Sequence, residues 1–287
     1  VEKCLNLLTN QIWAILPERL IAMADIAMAG VNVKAQNKTN PATQQNIAYL
    51  PLYGMIDQHN SWVLEMFGGT STEVFGQMFD NAMADISVGA ILIDVDSPGG
   101  SVYGVQELSD KIYNARGKKH ITAVVNSMMA SAAYWIGSAA DEIIMTPSGE
   151  AGSIGVIAMH FDQTEYEEKA GVKTTIIKAG KYKAEGNPHE PLSADAKWYF
   201  QQRVDDYYSA FVGAVARNRG VSVGKVLSDF GQGRMFGAAG AKSAGLIDGI
   251  NTTEDTFKRL VVRKSTLRAA EVSRQSNVLA MAYERAK

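Results

Sequence analysis

VGAILIDVDSPGGSVYGVQELSDKIYNAR, residues 88–116, decides the fold. Its opening VGAILIDVD (88–96) is a short, nearly continuous apolar run, the mark of a strand covered on both faces. DSPGGS (96–101) is a glycine turn. VYGVQELSDKIYNAR (102–116) then places apolar residues at helical spacing. A buried strand that turns through glycine into an amphipathic helix is the repeating unit of an α/β fold.

The same unit recurs on both sides. ITAVVN (121–126) reads as a second buried strand, and residues 130–140 as the helix after it. Upstream, IAYLPLYGMI (47–56) reads as a strand and TEVFGQMFDNAMAD (72–85) as a helix opened by Ser71 or Thr72. Downstream come a strand at KTTIIK (173–178), a long helix at 193–218 and a strand–helix–strand unit at 234–250. Repeated β-then-α units predict a parallel or mixed sheet with helices on its faces. Residues 5–30 have helical apolar spacing broken near Pro17, and the polar stretch 34–46 reads as a linker. The expected organisation is a separate N-terminal helical arm and linker at 1–46, a core domain at 47–250 and a helical tail at 251–287. That tail carries eight Lys/Arg against four Asp/Glu, the composition of a solvated helix face.

Bulk properties narrow the function. With 287 residues, 46% of them hydrophobic, the chain can bury a large core. A net charge of −2 gives no electrostatic footprint for nucleic acid. The single cysteine, Cys4, excludes an intrachain disulfide and a multi-cysteine metal site. No HExxH or HxxxH pattern occurs, so zinc chemistry is not expected, and serine chemistry with a lysine base needs neither metal nor organic cofactor. Residues 121–140 lack charge over about the length of a membrane span. Thr122, Asn126, Ser127, Ser131 and Ser138 within them fit a buried strand and helix instead, and no membrane span is expected. Residues 1–10 lack the pattern of a signal peptide.

Four short stretches carry chemistry. DSPGGS follows a strand and precedes a helix, where free backbone N–H groups attract a phosphate or an oxyanion. It also fits a plain β–α turn. In MMASAAYWIG (128–137), Ser131 follows a buried strand among small neighbours that admit a substrate backbone, and the Ala132 N–H points the same way. A helix N-cap explains that serine as well. AGKYKAEGNP (179–188) offers a base for a serine alcohol. Either Lys183 or Lys181 serves, provided burial or a cationic neighbour keeps it neutral; the bland alternative is a solvated loop charge. In GEAGSIGV (149–156), glycines flank Ser153, whose hydroxyl can orient a lysine amine or merely sit in a turn. A rival base is His160, with Asp162 or Asp141 completing a triad.

Taken in order, IDVDSPGGSV (93–102), SMMASAAYWIGSAADEIIM (127–145), GSIGV (152–156), AGKYKAEGNP (179–188) and AKSAGLIDGI (241–250) resemble the signal peptide peptidase A family, the S49 serine peptidases. The resemblance covers about residues 47–250. It implies Ser131 as nucleophile, Lys183 rather than Lys181 as base, and Ser153 as the hydrogen-bond partner of the lysine. It implies Gly100, with Gly99 beside it, as lining of the oxyanion hole that Ala132 completes. It lowers the Ser131–His160 reading. The fold implied is a Clp protease/crotonase-like spiral of ββα units, with subunits assembled in rings and active sites at subunit contacts.

Within the family, QIWAILPERL (11–20) and KAGKYKAEGNPHEPLS (178–193) before a long helix are similar to the soluble phage and prophage branch, the head maturation or capsid proteases. Those enzymes cut capsid and scaffold proteins inside the procapsid. The bacterial branch is anchored by an N-terminal membrane helix, which Glu18, Arg19 and Asp25 speak against here. The implied partners are a protein or peptide substrate, capsid or scaffold proteins among them, and further copies of the chain. The implied setting is the cytoplasm, for a phage- or prophage-encoded protein. Competing expectations are a bacterial enzyme that degrades signal peptides, a non-cleaving scaffold protein, and crotonase-type acyl-CoA chemistry.

Overall fold

The computed structural model describes residues 11–28 and 41–262. The ends of the expected 5–30 helix, most of the 34–46 linker, the tail beyond 262 and Cys4 lie outside the described residues. In chain order the elements are strand β1 (Trp13–Ile15), helix α1 (Pro17–Met28), strands β2 (Ala42–Gln44) and β3 (Ile47–Asp57), helix α2 (Trp62–Phe67), strand β4 (Gly69–Ser71) and helix α3 (Thr72–Ala84). Strand β5 (Ala90–Ser101), helix α4 (Val105–Ala115), strand β6 (His120–Ala130), helix α5 (Ala132–Gly137) and strands β7 (Glu142–Met145) and β8 (Glu150–Gly152) follow. Helices α6 (Thr164–Ala170), α7 (Ala194–Arg219) and α8 (Val223–Asp229), strand β9 (Met235–Gly237), helix α9 (Ala238–Ala244), strand β10 (Gly249–Ile250) and helix α10 at 253–262 complete it.

The fold is α/β, built on a mixed sheet. Strands β3, β5 and β6 are each longer than the apolar run that predicted them, because each bends. Their first halves pair in parallel, Ile47–Tyr53 on Ala90–Asp96 and Ala90–Val95 on His120–Val125. The register then shifts at Gly54 in β3 and at Asp96 in β5. Beyond the shift β3 and β5 still pair, at Met55–Gly99 and Ile56–Gly100, and the second halves gain further neighbours. β4 pairs with the end of β3, β8 with the end of β6, and β9 with β8. A long strand, a short strand and a helix therefore alternate along the chain, and the turn region of each unit lies at the bend.

Helices α3, α4 and α5 cover one face and bury Phe75, Phe79, Leu108, Ile112 and Trp135 against Leu50, Ile91, Ile93 and Ala123. Ser71 opens α3, its hydroxyl accepting the Val74 N–H at 3.3 Å. Tight contacts pin α5. Trp135 stacks on Phe211 of α7 at 4.6 Å, the Tyr134 hydroxyl donates to the Leu246 carbonyl, and Asn218 donates to Ser109 and Ser138. Arg116 gathers the carbonyls of Ser138, Ala139, Ala140 and Asn218. At Gly137 the helix comes so near β6 that a Cβ would lie 2.3 Å from the Met129 sulfur and displace that side chain. The opposite face of the sheet carries Leu92 and Val124 beneath Leu260 of α10.

Two expectations need correction. The segment read as a separate helical arm begins with a strand: β1 pairs antiparallel with the end of β5, and Trp13, Ala14 and Ile15 are buried. Helix starts only at Pro17, which supplies a fixed φ and needs no N–H partner there. KTTIIK (173–178) forms no strand. Its residues are exposed, Ile177 almost wholly, and no neighbouring strand among the described residues offers it a ladder. β-branched composition makes a strand only where a sheet receives it. Helices α2, α6 and α8 are short and carry no long apolar period, and sequence reading passed over them. No described helix is long and apolar enough to cross a membrane.

Candidate active site

The site sits where the central strands bend. β6 ends at Ala130, and Ser131 turns the chain into α5 with φ 53 and ψ −116, a left-handed region that L residues seldom occupy. Strain of this kind costs about 1–3 kcal/mol and persists only where surrounding structure imposes it. Here the Ser131 N–H donates to the Gly152 carbonyl at 2.8 Å, and its carbonyl accepts the Trp135 N–H at 2.9 Å. The side chain is fully buried, its hydroxyl donating to the Gly155 carbonyl at 3.3 Å. Ser131 therefore stands at the N-cap position of α5, but its side chain makes no capping hydrogen bond and is left for the site.

Ser153 lies on the adjoining strand end. β8 runs parallel to β6 with Gly152 opposite Ala130, and Ser153 also has φ 53. Its N–H donates to the Arg234 carbonyl at 2.9 Å. The two serines are thus brought together by sheet register.

The glycine turn faces them. Gly99 has φ 95, and a Cβ on it would come within 3.1 Å of the Ala132 nitrogen and of the Ala130 carbonyl oxygen. The Gly99 N–H is already engaged, donating to the Ser97 hydroxyl at 3.2 Å, while that hydroxyl donates to the Gly54 carbonyl at 2.6 Å. Gly100 is glycine for a different reason. A Cβ there would lie 1.9 Å from the Ile56 carbonyl oxygen of β3. Of the three oxyanion-hole residues expected from sequence, Ala132 and Gly99 are side by side, and Gly100 adjoins them at the strand contact.

Lys183 lies on an exposed loop, and among the described residues no hydrogen bond joins it to Ser131. The loop is anchored at its far end, where His160 Nε2 meets the Asn187 carbonyl at 3.0 Å, Asn187 accepts the His189 N–H at 2.9 Å, and His189 pairs with Glu167. Lys181 sits 4.7 Å from the centre of the Tyr182 ring, and its hydrogen bond to Tyr182 raises its pKa. The members of the rival triad have other hydrogen-bond partners. His160 contacts Asn187, Asp162 accepts from Thr164, and Asp141 accepts the Ile121 N–H.

Sequence reasoning missed three participants. Ser97 orders the glycine turn, the Gly155 carbonyl holds the Ser131 hydroxyl, and β1 runs between the glycine turn and Ile157. The first serine of DSPGGS and the continuous apolar IWAIL run before Pro17 were the available signals.

Comparison with known proteins places this geometry in a class. The model of peptidase family S49 matches residues 114–266, and the chain belongs to that family. Over 259 residues it is 29% identical to capsid assembly protease C of Escherichia phage lambda, covering 89% of this chain and 58% of that protein. Over 183 residues it is 34% identical to the putative protease MJ0651 of Methanocaldococcus jannaschii, covering 64% of this chain and 58% of that protein. The chain thus spans less than two thirds of either relative. Among solved structures it is similar to a point mutant of ClpP1 from Listeria monocytogenes, with a TM-score of 0.46 and 17% identity, covering 72% of this chain and 92% of that one.

Proposed function

We propose that the chain is a serine endopeptidase with Ser131 as nucleophile, Lys183 as general base and no cofactor. The observation that carries this reading is the backbone of Ser131: a strained, buried serine at a strand–helix junction, facing a glycine turn and the Ala132 N–H. The neutral lysine takes the hydroxyl proton, the alkoxide attacks a peptide carbonyl, and the oxyanion is met by the N–H groups of Gly100 and Ala132, with Gly99 giving the room. Each essential donor of this kind is worth about 3–4 kcal/mol. The lysine then protonates the leaving amine, and water hydrolyses the acyl-enzyme. Ser153, one strand over, is the proposed partner of the amine.

Lys183 is exposed on its own chain and makes no bond to Ser131. The reading therefore includes a homo-oligomer in which one copy lends its loop to the serine of the next. Residues 47–250 are the proposed peptidase domain, with 1–46 and 251–287 as flanking segments. The likeness to the lambda capsid assembly protease supports capsid or scaffold proteins as substrates and a phage or prophage setting in the bacterial cytoplasm. The test is intact-mass analysis after incubation with a fluorophosphonate. Wild type gains one adduct, and Ser131→Ala and Lys183→Ala gain none. A wild type that never labels moves the non-cleaving scaffold reading ahead.

A further inference from the structure

Past the bend, β5 parts from β6. β5 runs on through Gly99 to Ser101 after its contact with β6 has ended at Ser97 and Met129. Across from it lies the extended segment around Ile157. Between these two edges sits β1. On one side Leu16 N–H donates to the Pro98 carbonyl at 3.0 Å, and Val102 N–H donates to the Ile12 carbonyl at 3.2 Å, with Ala14 paired to Gly100. On the other side Trp13 and Ile157 exchange both hydrogen bonds, at 2.9 and 2.8 Å. The Ala14 carbonyl oxygen lies 2.2 Å from where a Gly99 Cβ would stand, a point itself 3.1 Å from the Ala132 nitrogen. An extended segment at 12–16 thus lies along the glycine turn, its middle carbonyl beside the proposed oxyanion donors, and Ser131 beneath is fully buried.

We infer that residues 12–16 are an intramolecular strap in the peptide groove of this enzyme, held as a substrate strand would be and displaced when substrate enters. The inference rests on Ser131 being the nucleophile. A backbone ladder on both edges gives the groove affinity for any extended peptide, and side-chain pockets then select among them. The strap shows one selection. Ala14 is wholly enclosed and packs within the main core, while Trp13 and Ile15 fill the apolar cluster of Leu20, Met23, Met55 and Leu64. A competing strand needs a small residue at the place of Ala14.

The test follows the rate of fluorophosphonate labelling of Ser131 in the full-length chain. Ala14→Pro removes one N–H from the ladder and should raise that rate about fivefold, the weight of one net hydrogen bond. The peptide QIWAIL, added in trans, should slow the variant again, and QIWFIL should not. Equal rates in wild type and variant overturn the strap while leaving the nucleophile in place. Absence of labelling in both overturns the strap together with the peptidase reading. Because Ala14→Pro can fail to fold, hydrogen exchange on the wild-type chain provides an independent reading. A peptidyl phosphonate bound to Ser131 should release the amides of Trp13 and Leu16 to exchange. Retained protection with Ser131 modified places the substrate groove elsewhere and sinks the inference.

Discussion

Ser131 and Ser153 leave neighbouring parallel strands at the same left-handed backbone angle, φ 53, with the Ser131 N–H bonded to the carbonyl of Gly152, just before Ser153. Neither position suits an L side chain. Glycine relieves such strain, alanine does not. Ser131→Gly should therefore be more stable than Ser131→Ala by about 1 kcal/mol, although both are inactive. Paired thermal melts of the two variants measure this, and equal melting temperatures would show that the strain is not stored there.

Gly99 and Gly100 should respond differently to alanine. At Gly100 the new Cβ meets the β3 backbone within 1.9 Å, so Gly100→Ala should lose about 3 kcal/mol or more in urea unfolding. At Gly99 the obstruction is the Ala14 carbonyl of β1 and the Ala132 amide. Gly99→Ala should abolish labelling of Ser131 and loosen residues 12–16, at less cost to the central sheet.

Arg116 closes the helix that Ser131 opens. Its guanidinium serves four carbonyls, three of them from the turn after α5. Arg116→Ala leaves those acceptors unserved and should cost about 3 kcal/mol or more. Arg116→Lys should recover little of it, because an ammonium cannot span the same fork. Urea denaturation compares the three proteins.

Acid should weaken the attachment of α10. Hydrogen bonds first from His120 and then from Arg259 hold the Glu142 carboxyl down at about 2, against an ordinary 4.5. A depressed acid stabilises the fold above its ordinary pKa, and that contribution is lost as pH falls through the folded value. The urea midpoint should drop between about pH 4.5 and 2, and Glu142→Gln should flatten that part of the profile.

If the base crosses between copies, two dead proteins should make a live one. Co-expressed Ser131→Ala and Lys183→Ala chains, mixed at random, would pair an intact serine with an intact lysine at about a quarter of the sites. Recovery near that level supports a shared site. No recovery, in oligomers shown to be mixed, means that each chain uses its own lysine.

Much of the fold was legible because its units are local. The runs at 47–56, 88–96 and 121–126 are apolar enough to be buried strands, and each appears where the pattern put it. Their extension past the bend was not legible, since residues such as Ser97, Gly99 and Gly100 have no strand period and pair only because β6, β3 and β1 are there to receive them. KTTIIK misled in the opposite sense, with strand composition and no neighbour. At the site, Ser131 and Ser153 could be named because glycine and alanine surround them in a fixed order. The distance from Ser131 to Lys183 was not readable at all, because it depends on how a long loop leaves the sheet.

The strap also says something about the order of folding. Its ladder joins residues 12–16 to residues 98–102, whereas helices α3, α4 and α5 meet strands close to them in sequence. Contacts that close long loops form late. A chain emerging from the ribosome has therefore built the serine and its glycine turn before its own first strand can settle over them. For that interval the groove is open, and what reaches it first depends on local concentration, which for the chain's own N-terminus is set by a tether.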